Sequence, residues 1–134
     1  MLSQQKNYVT LINDIQPGPC LEIEICNAAT NTSTTVMMKI DTGSSRTVIP
    51  KKILNEFINL RKIKDINCFD YNGDKKSMPL FVVNLKILGN TFMDREIIGS
   101  DNPEYGLIGR DILSQYILTC DGPKKKFELE FSQE

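Results

Sequence analysis

An all-β domain with two short helices is the fold class this sequence predicts, and three observations predict it. Apolar and polar residues alternate over much of the chain, as in Leu21-Glu22-Ile23-Glu24-Ile25. Turn chemistry punctuates it at Asn72-Gly73, Gly89-Asn90 and Asp121-Gly122-Pro123. Helical spacing is confined to two short stretches, residues 51–59 and 111–117. At 134 residues, the sequence reads as one domain spanning 1–134.

Residues 21–25 place their isoleucines and leucine on one face and their glutamates on the other, a half-buried strand. The small polar run 27–34 is a hairpin connection. In the strand that follows, Val36, Met38 and Ile40 share one face, while Met37, Lys39 and Asp41 share the other. Asp41 thus stands at a strand end, before the turn residues Thr42-Gly43-Ser44-Ser45. Pro50 suits the first turn of a helix, and Ile53, Leu54, Phe57 and Ile58 supply an apolar stripe over 51–59. Residues 61–79 are polar around Asn72-Gly73, which predicts a projecting hairpin. Residues 80–88 and 91–98 read as two strands about a turn at Gly89-Asn90. Gly106-Leu107-Ile108-Gly109 reads as a buried strand closing on a glycine, followed by a helix over 111–117. A last hairpin turns at residues 121–123, and Phe127, Leu129 and Phe131 alternate with charges. Lys124-Lys125-Lys126 fits a solvated hairpin arm better than a targeting signal. A strand ending in glycine and followed by a helix occurs twice, at 38–57 and at 107–117, a faint internal repeat of pattern.

Composition narrows the chemistry. Sixteen basic against 17 acidic residues give a net charge of −1, which predicts no nucleic-acid partner, since phosphate binding needs a cationic excess. No apolar run approaches the ~20 residues that span a bilayer, and no leader pattern opens the chain, so the expectation is a cytoplasmic protein with no membrane partner. The four cysteines (Cys20, Cys26, Cys68, Cys120) follow neither a disulfide framework nor a zinc spacing. They read as reduced, partly buried small hydrophobes. Histidine is absent, which removes Ser-His-Asp and Cys-His catalysis. Neither metal nor cofactor is expected, and a hydrolase built from this chain would run on carboxylates.

Asp-Thr-Gly alone is a weak motif, because Asp before a small-residue turn is ordinary turn composition. Its context is more specific. Ile40-Asp41-Thr42-Gly43-Ser44-Ser45 is followed, beyond a hairpin with a glycine tip, by Leu107-Ile108-Gly109-Arg110-Asp111-Ile112-Leu113. The combination resembles the retropepsin-like aspartic proteases, single-domain relatives of pepsin that include the retroviral enzymes. The resemblance runs from about residue 21 to 131.

That resemblance implies a closed β-barrel or sandwich with a flap hairpin and one or two short helices. It also implies an aspartic endopeptidase working as a homodimer on a peptide or protein substrate. By position, Asp41, Thr42 and Gly43 carry the catalytic role, with Thr42 bonding across the dimer axis. Ser44, Ser45 and the flap residues Tyr71, Asn72 and Gly73 contact substrate. Gly109, Arg110 and Asp111 support the catalytic loop from beneath. Ser44 is expected to donate a hydrogen bond to the Asp41 carboxylate, favouring the ionised form and a moderately acidic optimum. Two departures stand out. Ser45 replaces the Asp that pairs with the family's arginine, leaving Asp111 or an acid of a partner chain as the expected partner of Arg110. The segment before Asp41 is also longer than in the compact retroviral enzymes, which puts an interleaved terminal sheet in doubt. The rival reading is a catalytically silent peptide-binding or dimerisation module of the same fold.

Overall fold

The computed structural model describes residues 4–12 and 14–132. Among these described residues, ten strands and two one-turn helices follow one another: β1 (Gln4–Asn7), β2 (Cys20–Asn27), β3 (Thr32–Ile40), β4 (Val48–Pro50), α1 (Lys51–Leu54), β5 (Lys62–Phe69), β6 (Lys75–Ile87), β7 (Asn90–Ser100), β8 (Gly106–Ile108), α2 (Arg110–Leu113), β9 (Tyr116–Asp121) and β10 (Lys126–Phe131).

The larger sheet runs β2-β3-β8-β4-β7-β6-β5, and a further β2–β6 pairing joins Glu24–Cys26 to Asn84–Lys86. That pairing closes strands β2, β3, β8, β4, β7 and β6 into a barrel, with β5 outside as one arm of a hairpin. Closure removes the open edges that would otherwise template aggregation. Alternation decides what the barrel encloses. Leu21, Ile23 and Ile25 of β2 and Val36, Met38 and Ile40 of β3 point inward, each under a tenth exposed. They meet Leu85 and Ile87 of β6, Ile97 of β7 and Ile108 of β8 in one core.

A three-stranded sheet, β1-β10-β9, lies outside the barrel. Phe127 and Leu129 of β10 pack into the main core beside Tyr116. β1 pairs antiparallel with β10 of its own chain, Gln4 opposite Leu129. The longer N-terminal segment therefore adds a strand in cis.

Three sequence expectations are corrected in detail. The helix expected over 51–59 is a single turn. Beyond Leu54 the backbone bonds tighten to i→i+3 (Glu56 N–H to Ile53 O, 3.1 Å; Phe57 N–H to Leu54 O, 3.1 Å). Asn59 then takes a left-handed conformation (φ 58°), and Ile58 is left 73% exposed, off the apolar face. The helix expected over 111–117 is likewise one turn, because Tyr116 is drawn into β9 opposite Phe131. Its ring packs on Phe131 and Phe92, with centroids 5.4 and 6.2 Å away. The β6–β7 turn sits one residue earlier than expected, at Leu88-Gly89, both at positive φ (50° and 83°). That is the primed two-residue turn whose twist matches the flanking strands.

Candidate active site

The chain segments that meet at Asp41 lie far apart in sequence. β3 runs parallel to β8, with Ile40 beside Ile108, and the Asp41 N–H continues the ladder onto the Ile108 carbonyl at 3.0 Å. Residues 41–44 then turn sharply, closed by Ser44 N–H to Asp41 O at 3.2 Å. One carboxylate oxygen of Asp41, Oδ1, accepts the Gly43 N–H at 2.9 Å. A Cβ at Gly43 would lie 3.2 Å from that same oxygen, so a side chain there would press on the carboxylate.

Beneath the turn the structure is tightly tied. Arg110 Nη1 donates to the Thr42 carbonyl at 2.9 Å, and the Arg110 N–H donates to the Ser44 carbonyl at 2.8 Å. Thr47 is fully buried. Its N–H and hydroxyl donate to the two oxygens of Asp111 at 2.9 and 2.7 Å, and its Oγ1 accepts the Gly109 N–H at 3.2 Å. Gly109 has no room for a side chain: a Cβ would stand 2.5 Å from the backbone carbon and oxygen of Arg46. Gly109, Arg110 and Asp111 thus lie together under the loop.

One expectation fails here, and one of the two partners expected for Arg110 is otherwise engaged. The Ser44 hydroxyl donates to the Arg46 carbonyl at 2.7 Å, not to Asp41. Within the turn the Gly43 N–H is the donor aimed at the carboxylate, and Ser44 is placed to tie off the next backbone carbonyl. Arg110, expected to meet Asp111 or an acid of a partner chain, caps a backbone carbonyl within its own chain, where Asp111 is committed to Thr47.

Above the turn projects the β5–β6 hairpin. At its tip the Gly73 N–H bonds the Asp70 carbonyl (3.0 Å) and the Asp70 N–H bonds the Asp74 carbonyl (3.0 Å). Asp70 Oδ1 accepts the N–H groups of Asn72 and Asp74, both at 2.9 Å. Gly73 adopts φ 84°, the left-handed geometry that closes a turn followed by a bulge. Tyr71 is fully exposed. On the β6 arm just below the tip, Lys76 is ion-paired with Asp101, which also holds Lys51 at 2.6 Å. The two ammonium groups, Lys51 first, hold the Asp101 carboxyl down at about 2.

Between turn and hairpin lies an open cleft of about 900 Å³. Asp41, Gly43, Ser44 and Ser45 form its floor, and Phe69, Asp70 and Tyr71 its outer lip. Val48, Ile66, Met78, Ile98 and Leu107 give it an apolar wall, with Arg46, Asn67, Cys68 and Lys76 around them. Of the residues singled out in the sequence, Asp41, Gly43, Ser44, Ser45 and Tyr71 line this cleft, whereas Thr42, Asn72 and Gly73 do not. The strand periodicity implied an apolar cleft, but the sequence did not single out the residues of its wall, nor Arg46. Alternation was the available signal: Ile66 and Cys68 pair across the hairpin with Met78 and Lys76, one face of an otherwise polar arm. Among the described residues, no group of three or more His, Cys, Asp or Glu is placed to hold a metal ion.

By sequence the chain matches no family profile and none of the curated proteins. By structure it is similar to EIAV protease, solved in complex with the inhibitor HBY-793. The TM-score is 0.59 at 21% identity, over 79% of this chain and 92% of that one. It is also similar to a retropepsin-like aspartic protease from Rickettsia conorii, with a TM-score of 0.55 at 15% identity over 97% of this chain and 92% of that one. The chain has a retropepsin-like fold. Within that retropepsin-like frame the β5–β6 hairpin is the flap and the turn at Asp41 is the floor it overhangs.

Proposed function

We propose that this chain is an aspartic endopeptidase whose catalytic site is completed by a second copy of itself. The observation that carries the reading is Asp41, held on a braced turn at the floor of a flap-covered, apolar-walled cleft in a retropepsin-like fold. Hydrolysis without a metal or a covalent nucleophile needs one carboxylate to take a proton from water. It also needs a carboxylic acid to polarise the scissile carbonyl. Two carboxyls a few ångströms apart cannot both ionise, so they share a proton and supply both roles, an effect established for aspartic proteases as a class. This chain has one Asp-Thr-Gly. A two-fold axis beside the turn would bring in the second Asp41 with matching geometry.

The outer strands support a route to that dimer. β1 is already paired in cis with β10, and among the described residues the outer edge of β9 pairs with no strand. Natural edge strands are usually blunted by charge or proline. Residues 116–120 of β9 have neither, and Ile117 there is 56% exposed. Self-pairing of β9 would extend both small sheets into one across a dimer axis.

The substrate is a peptide segment lying extended between floor and flap as an added strand, with apolar side chains against Val48, Met78 and Ile98. The test is cleavage of a mixed peptide library by wild type and Asp41→Asn, with a statine-type transition-state mimic as a second control. Cleavage lost in both is the expected outcome. Cleavage that survives Asp41→Asn contradicts the reading, and a folded dimer that binds peptides without cutting them would identify a peptide-binding module instead.

A further inference from the structure

We propose that Arg46 makes the cleft selective for substrates with an acidic side chain, two residues along from the side chain that packs on the Val48–Ile98 wall. The inference rests on the protease reading and specifies its substrate class.

The segment 45–48 alternates as an extended chain does. Arg46 and Val48 both line the cleft, while Thr47 between them turns inward and is sealed against Asp111. The backbone of Arg46 cannot move: Gly109 packs directly on its carbonyl, and the Ser44 hydroxyl caps that oxygen. The guanidinium, by contrast, is only loosely held. Its nearest acid is Glu96, with Nη1 to Oε1 at 3.8 Å, beyond hydrogen-bond length, and the two side chains are 41% and 52% exposed. An exposed pair of this kind contributes little and is readily exchanged.

The other cation lining the cleft, Lys76, is paired with Asp101, and one oxygen of the Asp70 carboxylate accepts two backbone N–H groups. A substrate carboxylate entering beside Arg46 would replace a long contact by a bidentate, charge-assisted one, for which a planar guanidinium is suited. The same carboxylate next to the scissile bond would face the negative charge of the Asp41 pair and be disfavoured. The favoured place is therefore one same-face step outward along an extended peptide, two residues or about 6.6 Å. In a symmetric dimer each half presents its own Arg46, so the preference falls on both sides of the cut.

The test compares peptides identical except for Glu, Gln or Lys, scanned through each position around one cleaved bond, and reads kcat/KM at low and high salt. Wild type is expected to favour Glu over Gln about fivefold at one position on each side, with the ratio shrinking in high salt. Arg46→Gln should bring the ratio to about one, and Arg46→Glu should reverse it in favour of Lys. Glu96→Gln, which leaves Arg46 in place but frees it, should raise the ratio. Thermal unfolding checks that each variant is folded. The same peptides are titrated onto Asp41→Asn protein by calorimetry, so that binding decides the matter even where nothing is cut. A wild type that cleaves well without distinguishing Glu from Gln overturns this inference and leaves the protease reading standing. A wild type that cuts nothing, yet binds Glu peptides through Arg46, sinks the protease reading and keeps the selectivity. A Glu preference that persists in Arg46→Gln overturns the role given to Arg46.

Discussion

The turn that carries Asp41 and the flap tip that overhangs it are both short glycine-containing loops, yet they are held in opposite ways. The turn is fixed by long-range bonds: Arg110 to Thr42 and Ser44, and Asp111 to the buried Thr47, more than 60 positions apart in the chain. The flap tip is fixed only by its own neighbours, Asp70 to Asn72, Gly73 and Asp74. Below the tip, exposed ion pairs of Lys76 and Lys51 with Asp101 tie the hairpin to the barrel. On the protease reading proposed above, a catalytic carboxylate must be placed within a fraction of an ångström, which suits support from the core. On the same reading a lid must open to admit a chain and close over it, which suits supports that are local and wet.

The largest expected effects break the floor. Asp111→Ala removes both acceptors of Thr47 and leaves a buried N–H and hydroxyl without partners, at a cost of about 2–4 kcal/mol. Gly109→Ala forces a methyl into the Arg46 carbonyl, a clash worth about 2–3 kcal/mol. Denaturant unfolding reads both, and cleavage should fall with them. A Gly109→Ala protein of wild-type stability would show that the packing under the loop is looser than described.

Changes in the flap should separate activity from stability. Gly73→Ala imposes a positive φ on a residue with a Cβ, costing about 1 kcal/mol locally. The expected result is a clear loss of kcat/KM with little change in the unfolding midpoint. Equal losses in both would mean that the tip is part of the cooperative core. Asp101→Asn should do still less to global stability, and speed amide exchange along β5 and the first half of β6. In wild type the Asp101 carboxyl is held at about 2, below its ordinary value of 3.8. The tie is therefore complete above pH 4 and is lost as pH falls from there toward 2. Protection of the flap amides, relative to their intrinsic exchange rates, that falls already near pH 5 would contradict this assignment.

The smallest effect concerns the thiols. Cys120, exposed on β9, should alkylate first. Cys20 is buried, and burial pushes its thiol pKa up. It should react only as the barrel opens. Mass-resolved labelling against time distinguishes the two.

Much of this was legible in the sequence because it rests on local rules. Alternation in 21–25 and 36–40 identified the inward faces, and Asn72-Gly73 placed the flap turn. The motifs at Asp41 and Gly109 that carry the resemblance fall at the turn and in the segment packed beneath it. What was not legible depends on contacts between distant segments. The two helices shrank to single turns because Tyr116 is claimed by Phe92 and Phe131, and because the backbone tightens beyond Leu54. Neither partner is near in sequence. Thr47 passed unnoticed although it is the most buried polar residue of the site, since nothing in a lone threonine announces that Asp111 will meet it. The donors around Asp41 were misassigned for a different, local reason: choosing between Ser44 Oγ and Gly43 N–H as its partner needs the geometry of the turn itself.

The central claim is that one Asp41 is half of a catalytic site. It is tested most directly by mixing wild-type chains with Asp41→Asn chains under conditions where subunits exchange. If the site is shared across a dimer, an equal mixture at fixed wild-type concentration, well above the dimer dissociation constant, should lose about half of its cleavage rate, and a large excess of the variant should extinguish it. A rate that stays proportional to the wild-type chain alone, whatever the excess of Asp41→Asn, would mean that a single subunit carries the chemistry, and would contradict the account.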